Sequence, residues 1–269
     1  MNARLELPVH KMHGSENTFI LIDERPPAFA DYAVLARRLC AHDGELGGAD
    51  GLLVVRDAPG FAAEMLIFNA DGSQAEMCGN GARCAARYLA ERGAGERFRL
   101  STLAGPIEAS VLSRDPFEVC VDVGSVRFPN DAQRETVTTA GSTWDFYDVS
   151  VGNPHAVIFV DDVNAVDVNT LGVTLNWLER FPDGTNVHVV DVVDETTLRV
   201  RHYERGVGLT QACGTGAVAC AAVAMRVRGA SSPVTVIVPG GSLRVDWHPG
   251  ESARLTGPAE TILERTLAP

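Results

Sequence analysis

The chain has 269 residues, of which 45% are hydrophobic and 22% are charged, and its formal net charge is −12. A surface this acidic repels phosphate backbones and anionic lipids, which argues against nucleic acid or a membrane as the main partner. No apolar run approaches the roughly 20 residues of a transmembrane helix, and the N-terminal residues lack the apolar stretch of a signal peptide. We therefore expect a cytoplasmic protein whose six cysteines are reduced thiols rather than a disulfide framework.

Apolar runs typical of strands alternate with helical segments along the chain. The predicted strands, in chain order, are Phe19–Ile22, Leu52–Val55, Glu64–Phe68, Ala156–Val160, Val187–Val190 and Leu198–Tyr203. A helix is predicted over Asp31–Ala41, and two alanine-rich helices are predicted to begin at the Cys-Gly-x-Gly sequences of Cys78 and Cys213. Together these elements indicate an α/β or α+β fold.

The two Cys-Gly-x-Gly sequences belong to a longer internal repeat. Cys213 lies 135 positions after Cys78. The same spacing matches Val54 with Val189, Phe68 with Tyr203, and Gly105 with Gly240. Nearer the N-terminus, residues 14–23 match residues 152–161 at a spacing of 138, which a small length difference explains. Matches that recur in the same order indicate two halves of related structure.

The repeat predicts two pseudo-symmetric domains. Residues 1–127 form the half that carries Cys78, and residues 128–259 form the half that carries Cys213. The boundary is expected in the polar, turn-rich stretch near residues 127–135. We expect the tail, residues 260–269, to return to the first half.

Both cysteines stand at the start of a predicted helix, where unpaired backbone N–H groups and the helix dipole stabilise an anion. A thiol in this position is expected to have a pKa below the free value of about 8.5. The glycines that follow let backbone amides approach a bound carboxylate. One such thiol would indicate a nucleophile. Two in matched halves indicate a base and an acid that act on opposite faces of one carbon and invert its configuration.

Other chemistries find little support. A pyridoxal phosphate enzyme needs a Schiff-base lysine, and Lys11, in a predicted strand, is the single lysine among 23 basic residues. The histidines and cysteines show neither C-x-x-C nor H-E-x-x-H spacing, and no dinucleotide-binding or P-loop pattern is present. We therefore expect no cofactor and no metal. The remaining cysteines are expected to be buried and inert: Cys40, Cys84, Cys120 and Cys220.

Seven motifs together resemble the diaminopimelate epimerase family over nearly the whole chain. They are Lys11–Phe19, Phe68–Ser73, Met77–Arg83, Gly152–His155, Thr185–Val187, Tyr203–Gly206 and Ala212–Gly216. The resemblance implies a cofactor-independent enzyme with two pseudo-symmetric domains, each a β-sheet wrapped around a central helix. It implies interconversion of LL- and meso-2,6-diaminopimelate, in lysine and peptidoglycan precursor biosynthesis. The expected partner is a small-molecule amino acid, and the assembly we expect is a homodimer.

The resemblance also implies roles for individual residues. Cys78 and Cys213 would be the two acid/base thiols, tuned or oriented by His155 and Glu204. The reacting carboxylate would be held at the two helix starts by Gly79, Asn80, Gly214 and Thr215. The distal end of the substrate would be gripped by Asn17, Asn69, Asn153, Asn186 and Arg205, and Glu204 would also contact the substrate.

Three positions depart from the usual pattern of the family. Glu16 and Thr18 alter its His-Gly-x-Gly-Asn-Asp-Phe motif, and Leu209 stands where a glutamate is usual. Because these positions flank expected substrate residues, another amino-acid racemase or epimerase on the same fold, for example one acting on a basic amino acid, is an open alternative. A non-catalytic binding module is a second alternative, although binding alone has no need of two tuned thiols.

Overall fold

The computed structural model describes residues 6–25, 29–139 and 141–267. Its helices are α1 (Tyr32–Leu39), α2 (Gly79–Glu91), α3 (Val168–Asn176) and α4 (Gly214–Val227), and a single 3-10 turn spans Val163–Ala165. Strands of the first part of the chain are β1 (Leu7–Gly14), β2 (Asn17–Asp23), β3 (Gly51–Arg56), β4 (Ala63–Asn69), β5 (Gln74–Ala75), β6 (Arg97–Thr102), β7 (Gly105–Arg114) and β8 (Phe117–Ser125). Later strands are β9 (Arg134–Thr139), β10 (Ser142–Ser150), β11 (Pro154–Phe159), β12 (Asn186–Asp194), β13 (Thr197–Glu204), β14 (Gly208–Thr210), β15 (Val234–Val238), β16 (Gly241–Asp246), β17 (Ser252–Pro258) and β18 (Glu260–Leu267).

Contacts divide the chain into two compact units. Of the described residues, the first unit contains those up to Val121 and those from Gly257 onwards, and the second contains those between Asp122 and Thr256. The domain limits given above, 1–127 and 128–259, remain a prediction. No helix among the described residues is long and apolar enough to cross a membrane.

In the first unit the strands pair in the order β18–β1–β2–β3–β4–β6–β7–β8, with the short β5 added to β4. The pairs β2–β3 and β4–β6 are parallel and the others are antiparallel. Parallel neighbours need a crossover connection, and here α1 connects β2 to β3 and α2 lies between β4 and β6 in sequence.

The second unit repeats this topology. Its order is β9–β10–β11–β12–β13–β15–β16–β17, with β14 on β13, and the parallel pairs are β11–β12 and β13–β15. In this order β9 occupies the place that the C-terminal strand β18 has in the first unit. The repeated topology confirms the prediction of two pseudo-symmetric halves of mixed α and β structure.

The helices α2 and α4 are buried on nearly all sides. In α2 every residue except Arg87 and Glu91 is buried, and in α4 burial extends from Gly214 to Ala224 with Thr215 as the exception. A helix that is surrounded in this way needs small or apolar side chains on every face, which the alanine-rich sequences supply. The sheet strands around α2 and α4 therefore hold each helix start in a rigid setting.

The other two helices, α1 and α3, each pack on the sheet face opposite to the one that covers α2 or α4. Leu35 and Leu39 of α1 join a buried cluster with Ile20 and Leu52, and Leu171 of α3 packs with residues of β11 and β12. Because side chains alternate along a strand, neighbours such as Leu53 point to the α2 side. All six predicted strands lie at β2, β3, β4, β11, β12 and β13, and the predicted first helix is α1, capped by Asp31.

The tight turn between β1 and β2 has an unusual backbone. Ser15 and Glu16 both have positive φ, at 54° and 61°, a region that disfavours residues with a side chain. The Glu16→Gly substitution should therefore stabilise the fold by about 0.5–1 kcal/mol, after allowance for the greater freedom of glycine in the unfolded chain. Thermal and urea unfolding test this, and Glu45→Gly, at another exposed loop position, is the control. A loss of stability in Glu16→Gly would contradict the strain argument.

Candidate active site: two capped thiols

Cys78 is the N-cap residue of α2. Its backbone is extended (φ −143°), and its Sγ accepts a hydrogen bond from the Gly81 backbone N–H at 3.4 Å. A Cβ at residue 81 would lie 2.9 Å from Cδ2 of Leu53, so glycine allows the helix start to approach β3. The half-buried thiol therefore lies at the positive end of a buried helix, where backbone N–H groups favour its anion.

A directed chain of polar groups adjoins the Cys78 thiol. Arg83 Nη2 donates to Asn80 Oδ1 at 3.0 Å, Asn80 Nδ2 donates to Asn17 Oδ1 at 3.1 Å, and Asn17 Nδ2 donates to Asp50 Oδ2 at 2.8 Å. A guanidinium can only donate and a carboxylate can only accept, so the two ends fix the orientation of both amides. The Cys78 Sγ lies 3.8 Å from Asn17 Oδ1, which can accept a hydrogen bond from the thiol form.

Cys213 is the N-cap residue of α4 and repeats the first arrangement. Its Sγ accepts a hydrogen bond from the Gly216 backbone N–H at 3.3 Å and lies 3.7 Å from Thr215 Oγ1. The side chain of Glu204, at the end of β13, also interacts with this thiol. The residue is only 4% exposed, whereas Cys78 is half-buried.

The sequence-based expectation of a lowered pKa is wrong for Cys213. Burial raises the pKa of this thiol well above its ordinary value, and the negative charge of Glu204 raises it further. Hydrogen bonds from Gly216 and Thr215 favour the thiolate but are outweighed. A helix start lowers a thiol pKa where water also solvates the anion, and at Cys213 removal from water is the larger effect. The Cys213 thiol is therefore protonated at neutral pH.

Charged groups of opposite sign interact with the two thiols. The fully buried Arg83 guanidinium interacts electrostatically with Cys78, and the Glu204 carboxylate interacts with Cys213. Burial lowers the pKa of Arg83 to about 10, so it remains a cation at neutral pH. The Cys78 thiol thus interacts with a buried cation, and the Cys213 thiol interacts with an anion that favours its protonated form.

Removing the negative charge of Glu204 should lower the pKa of Cys213. We expect Glu204→Gln to shift the alkylation of Cys213 by iodoacetamide to lower pH. Mass spectrometry of the peptide that contains Cys213 measures the extent of alkylation at each pH. Glu195→Gln, before the other end of β13, removes the same charge elsewhere and is the control. An unchanged pH midpoint in Glu204→Gln would contradict a direct electrostatic effect.

The raised pKa of Cys213 also links its ionisation to stability. The folded chain binds this proton more tightly than the unfolded chain does. The contribution to stability is therefore present at neutral pH and is lost as the pH rises from the ordinary thiol value towards the folded one.

His155, at the start of β11, is fully buried. Its Nε2 lies 2.8 Å from Asn153 Oδ1, and its Nδ1 lies 2.8 Å from Nε2 of His188. Burial and repulsion from His202 lower the pKa of His155 to about 3, so the ring is neutral at physiological pH. The expected role of tuning or orienting a thiol remains a prediction for His155.

The residues expected at the distal end of the substrate lie in different surroundings. Asn153 and the exposed Arg205 both line a cavity of about 310 Å³ in the second unit. The Asn186 amide is held by backbone, donating to Pro154 O and accepting from Arg205 N–H, whereas Asn69 donates to Ser73 Oγ in a turn.

Asn17, expected at the distal end, contacts the Cys78 thiol as described above. Gly79 and Gly214 are the first residues of α2 and α4, so their N–H groups have no partner within the helix. Within the described ranges, no three His, Cys, Asp or Glu side chains are grouped as a metal site would require.

Several residues of these clusters were not predicted as site residues. Arg83 follows directly in the Cys-Gly-Asn-Gly-Ala-Arg sequence, and its position one turn into a buried helix was a usable signal. Asp50, His188 and His202 carried no comparable signal, because their partners are distant in sequence.

Comparisons with known proteins agree with these features. A family model described as diaminopimelate epimerase matches residues 9–129 and 147–262. The diaminopimelate epimerase of Desulforapulum autotrophicum is 39% identical over 278 residues, covering 96% of this chain and 98% of that protein. That of Geobacillus kaustophilus is 39% identical over 272 residues, covering 94% and 93%. A hydroxyproline epimerase structure from Agrobacterium vitis has a similar fold, with a TM-score of 0.71 at 17% identity, covering 100% of this chain and 92% of that one. The chain therefore belongs to the diaminopimelate epimerase family.

Proposed function

We propose that this chain interconverts LL-2,6-diaminopimelate and meso-diaminopimelate without a cofactor, using Cys78 and Cys213 as paired base and acid. The observation that carries the proposal is the matched pair of thiol caps. In two units of the same topology, a cysteine precedes a buried helix and accepts a hydrogen bond from the glycine three residues later. Membership of the family supports diaminopimelate as the substrate.

The proposed reaction moves one proton off the α-carbon and another onto its opposite face. The Cys78 thiolate, favoured by the Arg83 cation, removes the α-proton, and its sulfur becomes a thiol. The Cys213 thiol, kept neutral by burial and Glu204, delivers its proton to the other face and becomes a thiolate. Charge is conserved, and the roles exchange in the reverse direction.

The weak acidity of the α-proton must be overcome by stabilising the carbanion. Backbone N–H groups of Gly79 and Asn80 at the start of α2, and of Gly214 and Thr215 at the start of α4, support this role. Such groups at helix starts carry partial positive charge and are fixed before the substrate arrives. They would hold the reacting carboxylate and the negative charge that develops beside it.

The distal end of the substrate carries a second ammonium and a second carboxylate. Arg205 and Asn153, which line the 310 Å³ cavity, support binding of the distal carboxylate there. A guanidinium and an amide both present N–H donors, and an arginine can bind a carboxylate through two hydrogen bonds.

Proton NMR in D₂O tests the proposed function directly. We expect the enzyme, kept under reducing conditions, to deuterate the α-carbon of LL-diaminopimelate and to produce the meso isomer. A panel of single amino acids, including histidine, tests the alternative of another racemase on this fold. Faster exchange with a panel member would overturn the substrate, and no exchange with any compound would favour a binding module.

The rate should depend on pH in a bell-shaped manner, because one thiol must be ionised while its partner is protonated. His155 is not expected to contribute either limb, since burial lowers its pKa to about 3. Initial rates measured from pH 6 to 10 check this, and a flat profile would contradict the two-thiol mechanism.

The proposal extends to context. We propose that the chain acts in the cytoplasm, in lysine and peptidoglycan precursor biosynthesis, as a homodimer. Light scattering of the purified protein tests the assembly, and a homodimer predicts twice the mass of one chain.

A further inference from the structure

Three fully buried histidines form a continuous chain in the second unit. His155 Nδ1 lies 2.8 Å from His188 Nε2, and His188 Nδ1 lies 2.8 Å from His202 Nδ1. At its open end His155 Nε2 lies 2.8 Å from Asn153 Oδ1. At its closed end His202 Nε2 is buried and has no hydrogen-bond partner among the described residues. The proposed reaction uses neither His188 nor His202.

The hydrogen bonds have a direction, because a neutral imidazole donates at one nitrogen and accepts at the other. Burial lowers the pKa of all three rings, so each is neutral at physiological pH. With Asn153 Oδ1 as acceptor, His155 donates from Nε2, His188 donates from Nε2 to His155, and His202 donates from Nδ1 to His188. The reverse direction would leave a buried N–H of His202 unpaired, whereas this direction leaves only an unpaired acceptor nitrogen. Buried donors without a partner are rarer in proteins than buried acceptors without one.

The first unit shows that the fold does not need this chain. His188 and His202 are directly opposite each other on β12 and β13, and Leu53 and Ile67 are directly opposite each other on β3 and β4. Each histidine lies 135 positions after its apolar counterpart. An aliphatic pair therefore fills the corresponding place, and two buried imidazoles add polar groups that must be paired.

The position of the chain connects it to the candidate active site. Cε1 of His188 and Sγ of Cys213 lie 2.5 Å and 3.0 Å from where a Cβ of residue 216 would be, so the ring packs against the start of α4. At the other end, Asn153 lines the cavity together with Arg205. The chain thus extends from beside the Cys213 cap to an amide of the cavity wall.

We propose that His188 and His202 are positioning residues, which with His155 form a relay of neutral imidazoles that holds the Asn153 amide with Oδ1 inward and Nδ2 towards the substrate cavity. In this orientation Asn153 offers N–H donors beside the Arg205 guanidinium, and the two recognise a carboxylate rather than an ammonium group. The identity of that carboxylate, as the distal end of diaminopimelate, rests on the proposed function.

Nitrogen-15 NMR of histidine-labelled wild-type protein tests the relay without reference to activity. The expected result is one fixed neutral tautomer for each ring, with the proton on Nε2 of His155 and His188 and on Nδ1 of His202. The opposite tautomers, or rapid exchange between the two, would overturn the relay. Because no turnover is needed, this result stands whether or not diaminopimelate is the substrate.

Kinetics of matched variants test the positioning role. His188→Gln can still donate to His155 and accept from His202, whereas His188→Leu can do neither. We expect KM for diaminopimelate to rise about tenfold in His188→Leu, because Asn153 loses its hydrogen bond to the charged carboxylate of the substrate. The value of kcat should change less, and KM in His188→Gln should stay close to that of the wild type. The double variant His188→Leu/His202→Ile places in the second unit the apolar pair that the first unit has. It is therefore expected to fold even if His188→Leu alone does not.

An unchanged KM in folded His188→Leu and in the double variant would overturn the positioning role. An equal rise of KM in His188→Gln would also overturn it, because that variant keeps the hydrogen bonds. If the wild-type enzyme fails to turn over diaminopimelate, the proposed function fails, and the NMR result alone decides on the relay.

Discussion

Replacing Cys78 or Cys213 with serine should lower the rate of epimerisation by at least about a thousandfold. A positioned acid or base contributes about 10²–10⁴ to a proton transfer, and a serine hydroxyl is a far weaker acid than a thiol. The forward and the reverse epimerisation each need both thiols, so the two single variants should be similarly slow. Steady-state rates of LL-to-meso conversion measure the loss.

The two serine variants should differ in hydrogen exchange. In Cys213→Ser the Cys78 thiolate can still remove an α-proton, exchange it with D₂O as a thiol and return a deuteron to the same face. In Cys78→Ser the thiolate form of Cys213 can do the same on the other face. Each variant should therefore keep slow α-deuteration with one isomer only, and the two should prefer opposite isomers. Variants that both prefer the same isomer would contradict the assignment of one thiol to each face.

Two buried cysteines provide matched controls. Cys84 of α2 and Cys220 of α4 are fully buried, and burial raises the pKa of Cys84 to about 12 and that of Cys220 well above its ordinary value. Alanine is the best helix former, so Cys84→Ala and Cys220→Ala keep the helix and remove a neutral thiol. We expect both to turn over at close to the wild-type rate, and a thousandfold loss in either would contradict the special role of the caps.

Replacing Arg83 with methionine should destabilise the protein by about 2–4 kcal/mol. The guanidinium donates to Pro258 O at 3.1 Å, to Gly79 O at 3.4 Å and to Ser15 Oγ at 3.2 Å, besides its bond to Asn80. Methionine fills similar volume but cannot donate, so these acceptors lose the hydrogen bonds of the guanidinium. Relief from burying a charge offsets part of the loss. Urea unfolding measures the change in free energy.

Arg83→Met should also slow turnover, because Asn80 and Asn17 lose the donor that fixes their amides beside Cys78. Arg83→Lys keeps the positive charge but not the planar set of donors, and it should recover part of the rate. Arg87→Met, one turn later in α2, removes a partly exposed arginine that bonds Glu91 and Ala259 O, and it is the control with a loss of at most about 1 kcal/mol. A loss in Arg83→Met no larger than in Arg87→Met would contradict a central role for the buried guanidinium.

Local patterns in the sequence were sufficient for the elements and for the two thiols. Apolar runs such as Leu52–Val55 are strands because both of their faces are covered, and alanine-rich segments after Cys78 and Cys213 are helices because small side chains suit a buried helix. The spacing of 135 positions identified the duplication, which the repeated strand order confirms. These features depend on residues close together in the chain, or on a comparison of the chain with itself.

The ionisation of Cys213 and the polar chains behind the site required the tertiary structure. A Cys-Gly-x-Gly sequence contains the helix start that favours a thiolate, but not the burial or the Glu204 charge that favour the thiol. Likewise, alternation along β12 and β13 indicates on which side His188 and His202 lie, but not that they bond each other and His155. Sequence by itself therefore determined which groups are present and at which helix starts. Only the tertiary structure decided their charge and orientation, because both depend on water exclusion and on partners from distant strands.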